Sequence, residues 1–190
     1  TTLTDIFLSK IKKLGKNTFF AGYESVFKEK CKKNNIRFVQ RTEKSVNVDE
    51  PASEIYNFLN DQNYKYLLQV NACLPFLRVE TIINFLKICE KIKKPTFAVF
   101  EESNYFMNMD NKPLNFSKKI STINTKSVDK VKEFGHVFYF FEKEYFKKNG
   151  WYWDWDEVEY ITIPKGIEML DIDTEEDFKK AEIYWKGLNY

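Results

Sequence analysis

Hydrophobic positions recur along this chain in two rhythms. In the opening segment, TLTDIFLSKIKKLG, the apolar residues Leu3, Ile6, Phe7, Ile11 and Leu14 fall on one face of a helix, and Gly15 supplies the stop. NTFFAGY then reads as a short buried strand. A lysine-rich helix is predicted over 24–35, with Val26, Phe27 and Cys31 turned inward, and IRFVQ follows as a second strand. Pro51, a residue tolerated in a first helical turn, opens a helix predicted over 49–60. YKYLLQVNA is a strand of buried residue types. Ile82, Ile83, Phe85, Leu86 and Ile88 mark a helix over 81–94, and PTFAVFEE is a strand again. The stretch 103–129 breaks the rhythm: it is polar and rich in Asn and Lys, and reads as an excursion from the sheet, a lid or a dimer arm. HVFYFFEKEYF returns to strand and helix. After the aromatic, acidic run WYWDWDEVEYITIP, a last strand leads into LDIDT and a terminal helix.

Short apolar strands alternating with helices predict an α/β fold with a mostly parallel sheet, as one domain over 1–190. In such sheets ligands bind beyond the carboxyl ends of the strands. Chemistry is therefore expected at 22–25, at Arg41, at 69–75 and at 171–173.

Composition narrows the partners. Hydrophobic residues at 43% and charged residues at 31% give a globular chain, not a disordered one. A net charge of +2 provides no field for nucleic acid, and the run Lys10-Ile11-Lys12-Lys13 reads as a solvated helix face. No apolar run approaches the roughly 18 residues of a membrane span, and no signal peptide is visible. Neither nucleic acid nor membrane is an expected partner. Cys31, Cys73 and Cys89 are odd in number and contain no C-x-x-C pair, so a disulfide framework or zinc site is not expected, and a reducing cytoplasm is.

Asp171 and Asp173 are two residues apart at the predicted end of the last strand. Residues i and i+2 of a strand share a side, and two carboxylates there make a hard oxygen site suited to Mg²⁺. The same stretch also reads as a helix start, with Thr174 and Asp177 forming a capping box and the acids suiting the helix dipole. Gln69, Asn71 and Cys73 form a polar cluster before Pro75, fit to read a base or a sugar, or to be a self-bonded turn. Cys73 has no identifiable partner base. His136, the only histidine, lies in an apolar run and reads as a packed structural residue. Arg41 ends a strand, where an arginine can clamp phosphate or simply face solvent. No G-x-x-x-x-G-K-[ST] or G-x-G-x-x-G loop is present.

Several stretches together resemble one family. LDIDTEEDFKKAE resembles the closing D-I-D-T and acidic helix of the CMP-sialic acid synthetase (acylneuraminate cytidylyltransferase) family. YKYLLQVNACLPFLRVETI resembles its Leu-Gln stretch and Ser-Pro-Leu-Arg turn. FVQRTEKSVNVDEPASEI resembles its Arg-Pro loop, GYES its Ser-Thr-Asp, and GHVFYFFEKEYF its Asn-Gly-Ala-Ile-Tyr-Ile strand. The matches fall in the same order over nearly the whole chain.

The resemblance implies a three-layer, Rossmann-like fold of the nucleotide-diphospho-sugar transferase kind. It implies CTP and a nonulosonic or Kdo-like sugar acid as substrates, Mg²⁺ as cofactor and a homodimer in the cytoplasm. It assigns Asp171 and Asp173 to catalysis and the metal, Arg41 and Ser53 to the nucleotide, and Gln69 and Tyr139 to the sugar. Thr125, beside Lys126, falls where the family places an arginine for the sugar carboxylate. The family's first strand and its phosphate-binding loop, with Ala-Arg, Ser-Lys and Lys-Asn, have no counterpart here. That absence leaves a second expectation, a nucleotide-sugar-binding or assembly module without catalysis.

Overall fold

The computed structural model describes residues 2–188. Helix α1 (Leu3–Ile11) starts at a capping box in which Thr2 accepts from the Asp5 amide and Asp5 accepts in return. It buries Phe7, Leu8 and Ile11, as its spacing predicts. Strand β1 (Phe19–Gly22) is joined by α2 (Ser25–Asn34) to β2 (Arg37–Gln40), and the two strands pair in parallel. In α2 only Cys31 is buried; Val26, expected inside, is 46% exposed because it lies off the narrow face that α2 turns to α1 and the strands.

Four further strands form a second sheet in the order β3-β5-β4-β6. These are β3 (Tyr66–Val70), β4 (Thr96–Glu102), β5 (Val131–Glu142) and β6 (Glu159–Thr162). β5 runs antiparallel to both β3 and β4, and β4 runs parallel to β6. Three of the four strands therefore share a direction, and the mostly parallel sheet holds. Helix α4 (Val79–Ile92) makes the crossover from β3 to β4, and α5 (Lys143–Asn149) follows β5.

Alternation along the strands builds three layers. Ala98, Phe100, Phe138 and Phe140 face one side, where they pack with Leu77, Ile82, Phe85 and Cys89. Phe97, Val99 and Phe141 face the other, against Leu59, Phe146, Tyr152 and Trp153. A third cluster joins Phe7, Leu8, Ile11 and Cys31 beneath β1 and β2.

No ladder pairs β1 with β3 among the described residues. Both line one cavity of about 980 Å³, together with α1 and α4 residues. The inner edges of the two sheets thus face a common space.

Two predicted elements differ. The helix expected over 49–60 is a single α turn, α3 (Ala52–Ile55), followed by a 3-10 turn (Asn57–Leu59). Only Leu59 of that stretch is buried, so there is too little apolar stripe to hold three turns. The strand expected to run into LDIDT is absent: a 3-10 turn (Ile167–Met169) precedes an irregular stretch over 170–173. The polar excursion 103–129 leaves from the end of the β4–β5 hairpin. Buried Asn115 ties its base together, donating to the carbonyls of Asn104 and Asp129 and accepting from the Phe106 amide. Among the described residues no helix is long and apolar enough to cross a membrane.

Candidate functional site

The site grows from the carboxyl end of β3. Gln69 sits directly opposite Tyr139 in the β3–β5 ladder, so two sugar-side candidates from distant sequence meet as cross-strand neighbours. Gln69 Nε2 donates to the Tyr56 hydroxyl at 3.0 Å, which fixes the amide and leaves buried Oε1 without a partner. Burial pushes the Tyr139 hydroxyl up to about 12, with Tyr56 and Asp171 adding to it.

One step further on, Asn71 ties three segments together. Its amide N–H donates to the Val137 carbonyl of β5 at 3.0 Å. Its side-chain oxygen accepts from the Cys73 amide at 2.9 Å, and its Nδ2 donates to Asp171 Oδ2 at 2.8 Å. The 69–75 cluster is therefore both a self-bonded turn and the anchor of a site residue.

Asp171 reaches this point by three tethers. Glu168 accepts from the Arg78 amide at 3.0 Å and the Thr81 hydroxyl at 2.6 Å, pinning the 3-10 turn to the start of α4. The Ile172 amide donates to the Cys73 carbonyl at 3.1 Å. Asn71 holds the carboxylate itself. Asp171 is thus placed by these tethers and not by strand alternation, and Asp173 lies near enough for its charge to act on it. Asp171 is half-buried and Asp173 exposed. Burial, then the charge of Asp173, pushes the Asp171 carboxyl above the ordinary carboxylate range, and buried Oδ1 has no hydrogen-bond partner among the described residues. A cation beside the pair would relieve both features, so these residues fit a hard divalent ion. Among the described residues no group of three or more His, Cys, Asp or Glu forms a cage. Thr174 meanwhile caps the last helix, α6 (Glu175–Gly187), through a capping box with Asp177. Both readings of LDIDT coexist.

Arg41 lines the cavity from the end of β2, half-buried over Phe58 at 5.6 Å with Nε donating to Ser45 at 3.2 Å. Burial lowers its value from the usual guanidinium range. Ser53 is exposed beside Gly150 and does not line the cavity with the others. Thr125 and Lys126 lie in an exposed 3-10 turn of the excursion (Thr125–Ser127). The Cys73 thiol is raised by burial, Asp171 and Asp173, which removes it as a thiolate nucleophile.

His136 is the residue the sequence reading placed wrongly. It is exposed, lines the cavity with Gln69, Asn71 and Tyr139, and its Nδ1 lies 2.9 Å from the Tyr139 hydroxyl. The available signal was Gly135 beside it, a glycine inside a strand pattern, which marks a bulge. In 151–155, Tyr152 and Trp153 are buried over Phe97 and Phe141, while Trp151 and Trp155 are 40% and 50% exposed.

Helices and loops on both faces of a mostly parallel sheet with one reversed strand make a three-layer, Rossmann-like α/β fold. Among solved structures, the chain is similar to 4-diphosphocytidyl-2C-methyl-D-erythritol synthase from Anaerococcus prevotii. The TM-score is 0.66 and the identity 15%, over 98% of this chain and 86% of that one. It is also similar to a CMP:2-keto-3-deoxy-manno-octonic acid synthetase complexed with CTP, with a TM-score of 0.62 and 8% identity, over 96% and 88% of the two chains. At such identities the likeness is one of architecture. No protein-family profile and no curated protein matches the sequence.

Proposed function

We propose that this protein is a CTP-dependent cytidylyltransferase that activates a nonulosonic or Kdo-like sugar acid, giving a CMP-sugar and pyrophosphate. One observation carries the reading. Among the described residues, two buried acceptors, Gln69 Oε1 and Asp171 Oδ1, stand without hydrogen-bond partners at the carboxyl end of the sheet, on side chains otherwise fixed by Tyr56 and Asn71. Buried acceptors left open in this way are fit for a ligand's hydroxyls and for a cation. The similar solved proteins are a 4-diphosphocytidyl-2C-methyl-D-erythritol synthase and a CMP:2-keto-3-deoxy-manno-octonic acid synthetase, and the second was seen with CTP.

In this reading Gln69 Oε1 accepts from a sugar hydroxyl, and protonated Tyr139 lines the sugar side. Arg41 faces the nucleotide. Asp171 and Asp173 would hold Mg²⁺, which supplies charge neutralisation at the phosphates. The anomeric hydroxyl of the sugar forms a bond to the α-phosphorus of CTP. The bond from that phosphorus to the leaving oxygen breaks, pyrophosphate departs with the electron pair, and the proton of the attacking hydroxyl passes to solvent. A strand from outside these residues, carrying the phosphate-binding loop, would pair with the free edges of β1 and β3 and leave the end of the cavity at Gln69 and Tyr139 to substrate. Its placement rests on the two unpaired edges that line that space, since buried backbone donors and acceptors require partners. A homodimer using exposed Trp151 and Trp155 or the 103–129 excursion belongs to the same proposal, as does a reducing compartment for free Cys31, Cys73 and Cys89.

The test is pyrophosphate release by the natural full-length protein from CTP, Mg²⁺ and a panel of sugar acids. Turnover is expected, and Asp173→Asn should lower it by about a hundredfold or more. Absence of turnover across the panel would sink the enzyme reading. Retained nucleotide-sugar binding in that case would identify the second reading, a binding or assembly module. Gel filtration showing only a monomer would remove the dimer.

A further inference from the structure

Between β6 and α6 the chain runs without a strand, and no residue from 164 to 174 is buried. Apolar packing therefore fixes little of the stretch that carries Asp171 and Asp173, and polar contacts must place it. Glu168 makes the most of them. Its side chain is only 16% exposed. One carboxylate oxygen accepts from the Arg78 amide and the Thr81 hydroxyl, and the other from the Arg78 guanidinium, with Nε at 2.5 Å. Burial works to raise this carboxyl, but the bonds from Thr81 and Arg78 outweigh it and hold the group below its ordinary range.

Helix α4 depends on the same carboxylate. Arg78, its N-cap, makes no side-chain cap bond, and the Arg78 amide is met from 90 residues away. A negative group there also suits the positive end of the helix dipole. On the other side of the turn over 73–78, Lys10 of α1 donates to the Leu74 and Pro75 carbonyls and lies close enough to Glu168 for their charges to act on each other. A cation thus holds the carbonyls of this turn and an anion its last amide. The turn in turn gives its Cys73 carbonyl to the Ile172 amide. Asp171 lies in sequence between Glu168 and Ile172, and both are fastened to this one turn.

We propose that Glu168 is a positioning residue for a divalent cation at Asp171 and Asp173, its bonds to Arg78 and Thr81 fixing where the two carboxylates stand at the end of the sheet. Both of its oxygens are already taken, so it acts through the backbone and is not itself a ligand. The role rests on the reading that the two aspartates hold a divalent ion.

The probe is Mn²⁺, which takes the same oxygen ligands as Mg²⁺. It is titrated into the full-length protein without nucleotide, and the free ion is counted by electron paramagnetic resonance. Glu168→Ala should weaken binding about ten- to a hundredfold, the usual loss when an outer-shell partner is removed. Glu168→Gln, which can still accept from the Arg78 amide and the Thr81 hydroxyl, should recover most of that affinity. Thr81→Val alters no charge and should weaken binding in the same direction by a smaller factor. Thr2→Ala removes the distant α1 capping box, lowers the melting temperature and should leave Mn²⁺ binding unchanged. A purely structural Glu168 would behave like Thr2, so wild-type affinity in Glu168→Ala overturns the role alone. Equal losses in Glu168→Gln and Glu168→Ala trace the effect to charge at a distance and also overturn it. Should Glu168→Ala fail to fold, Thr81→Val decides, with unchanged affinity overturning the role. Wild-type binding by Asp173→Asn, or none by the wild type, overturns the cation reading and this role with it.

Discussion

Asn71→Ala removes the residue that joins β3, β5 and the LDIDT stretch. Its side chain makes two hydrogen bonds, to the Cys73 amide at 2.9 Å and to Asp171 Oδ2 at 2.8 Å. The first is between neutral groups and is worth about 0.5–1.5 kcal/mol; the second, to a charged acceptor, is worth about 1.5–3 kcal/mol. Asn71 is half-buried, so only the top of the combined range is trimmed, to about 2–4 kcal/mol. At roughly 2–4 °C per kcal/mol for a chain of this size, the melting temperature should fall by about 4–16 °C. The cost is not all lost bonding. Asp171 already has one buried oxygen without a partner, and the variant strands the other. In the Asp171→Asn background no charge is stranded, so Asn71→Ala should cost less there. Chemical denaturation of wild type, both single variants and the double variant at pH 7 in chelator measures the cycle. A cost under about 1 kcal/mol, or equal costs in both backgrounds, would refute the claim that Asn71 anchors this carboxylate.

Gly135→Ala should destabilise by about 1–3 kcal/mol, seen as a lower melting temperature, because the new methyl group meets the Ala98 carbonyl and the bulge must shift. Thr174→Ala should cost about 1 kcal/mol, or a drop of roughly 2–4 °C, by removing the α6 cap. Lys10 donates to the Leu74 and Pro75 carbonyls, and burial pushes its ammonium down to about 8 from an ordinary 10.5, with Glu168 opposing. Its folded form therefore loses the proton first. Its penalty is full below pH 8, shrinks as the pH rises towards 10.5 and is gone above it. Lys10→Met should remove that rise, so the stability difference from wild type should change between pH 7 and 10.5 and stay flat below pH 7.

The hydrophobic rhythm of the sequence determined the elements. The stripe in 3–11, the buried strand 66–70 and the crossover helix 79–92 are local patterns, and each forms where its periodicity says. So is the Thr174–Asp177 cap, whose partners lie three residues apart. The same pattern was too weak over 49–60, where propensity suggested a helix that has almost nothing to bury. For the site, residue types and a family resemblance picked out Asp171, Gln69 and Tyr139, but not what surrounds them. That Gln69 faces Tyr139 depends on the β3–β5 register, and that Asp171 meets Asn71 depends on contacts 100 residues apart. His136 shows the limit most sharply. Its run, GHVFYF, alternates like any buried strand, so the sequence assigns it to packing. Only the close approach of Gly135 to Ala98 forces the bulge that turns this ring to the cavity wall. Local free energy set the helices and strands; which side chains share one space was decided by strand register, a long-range property that no local pattern encodes.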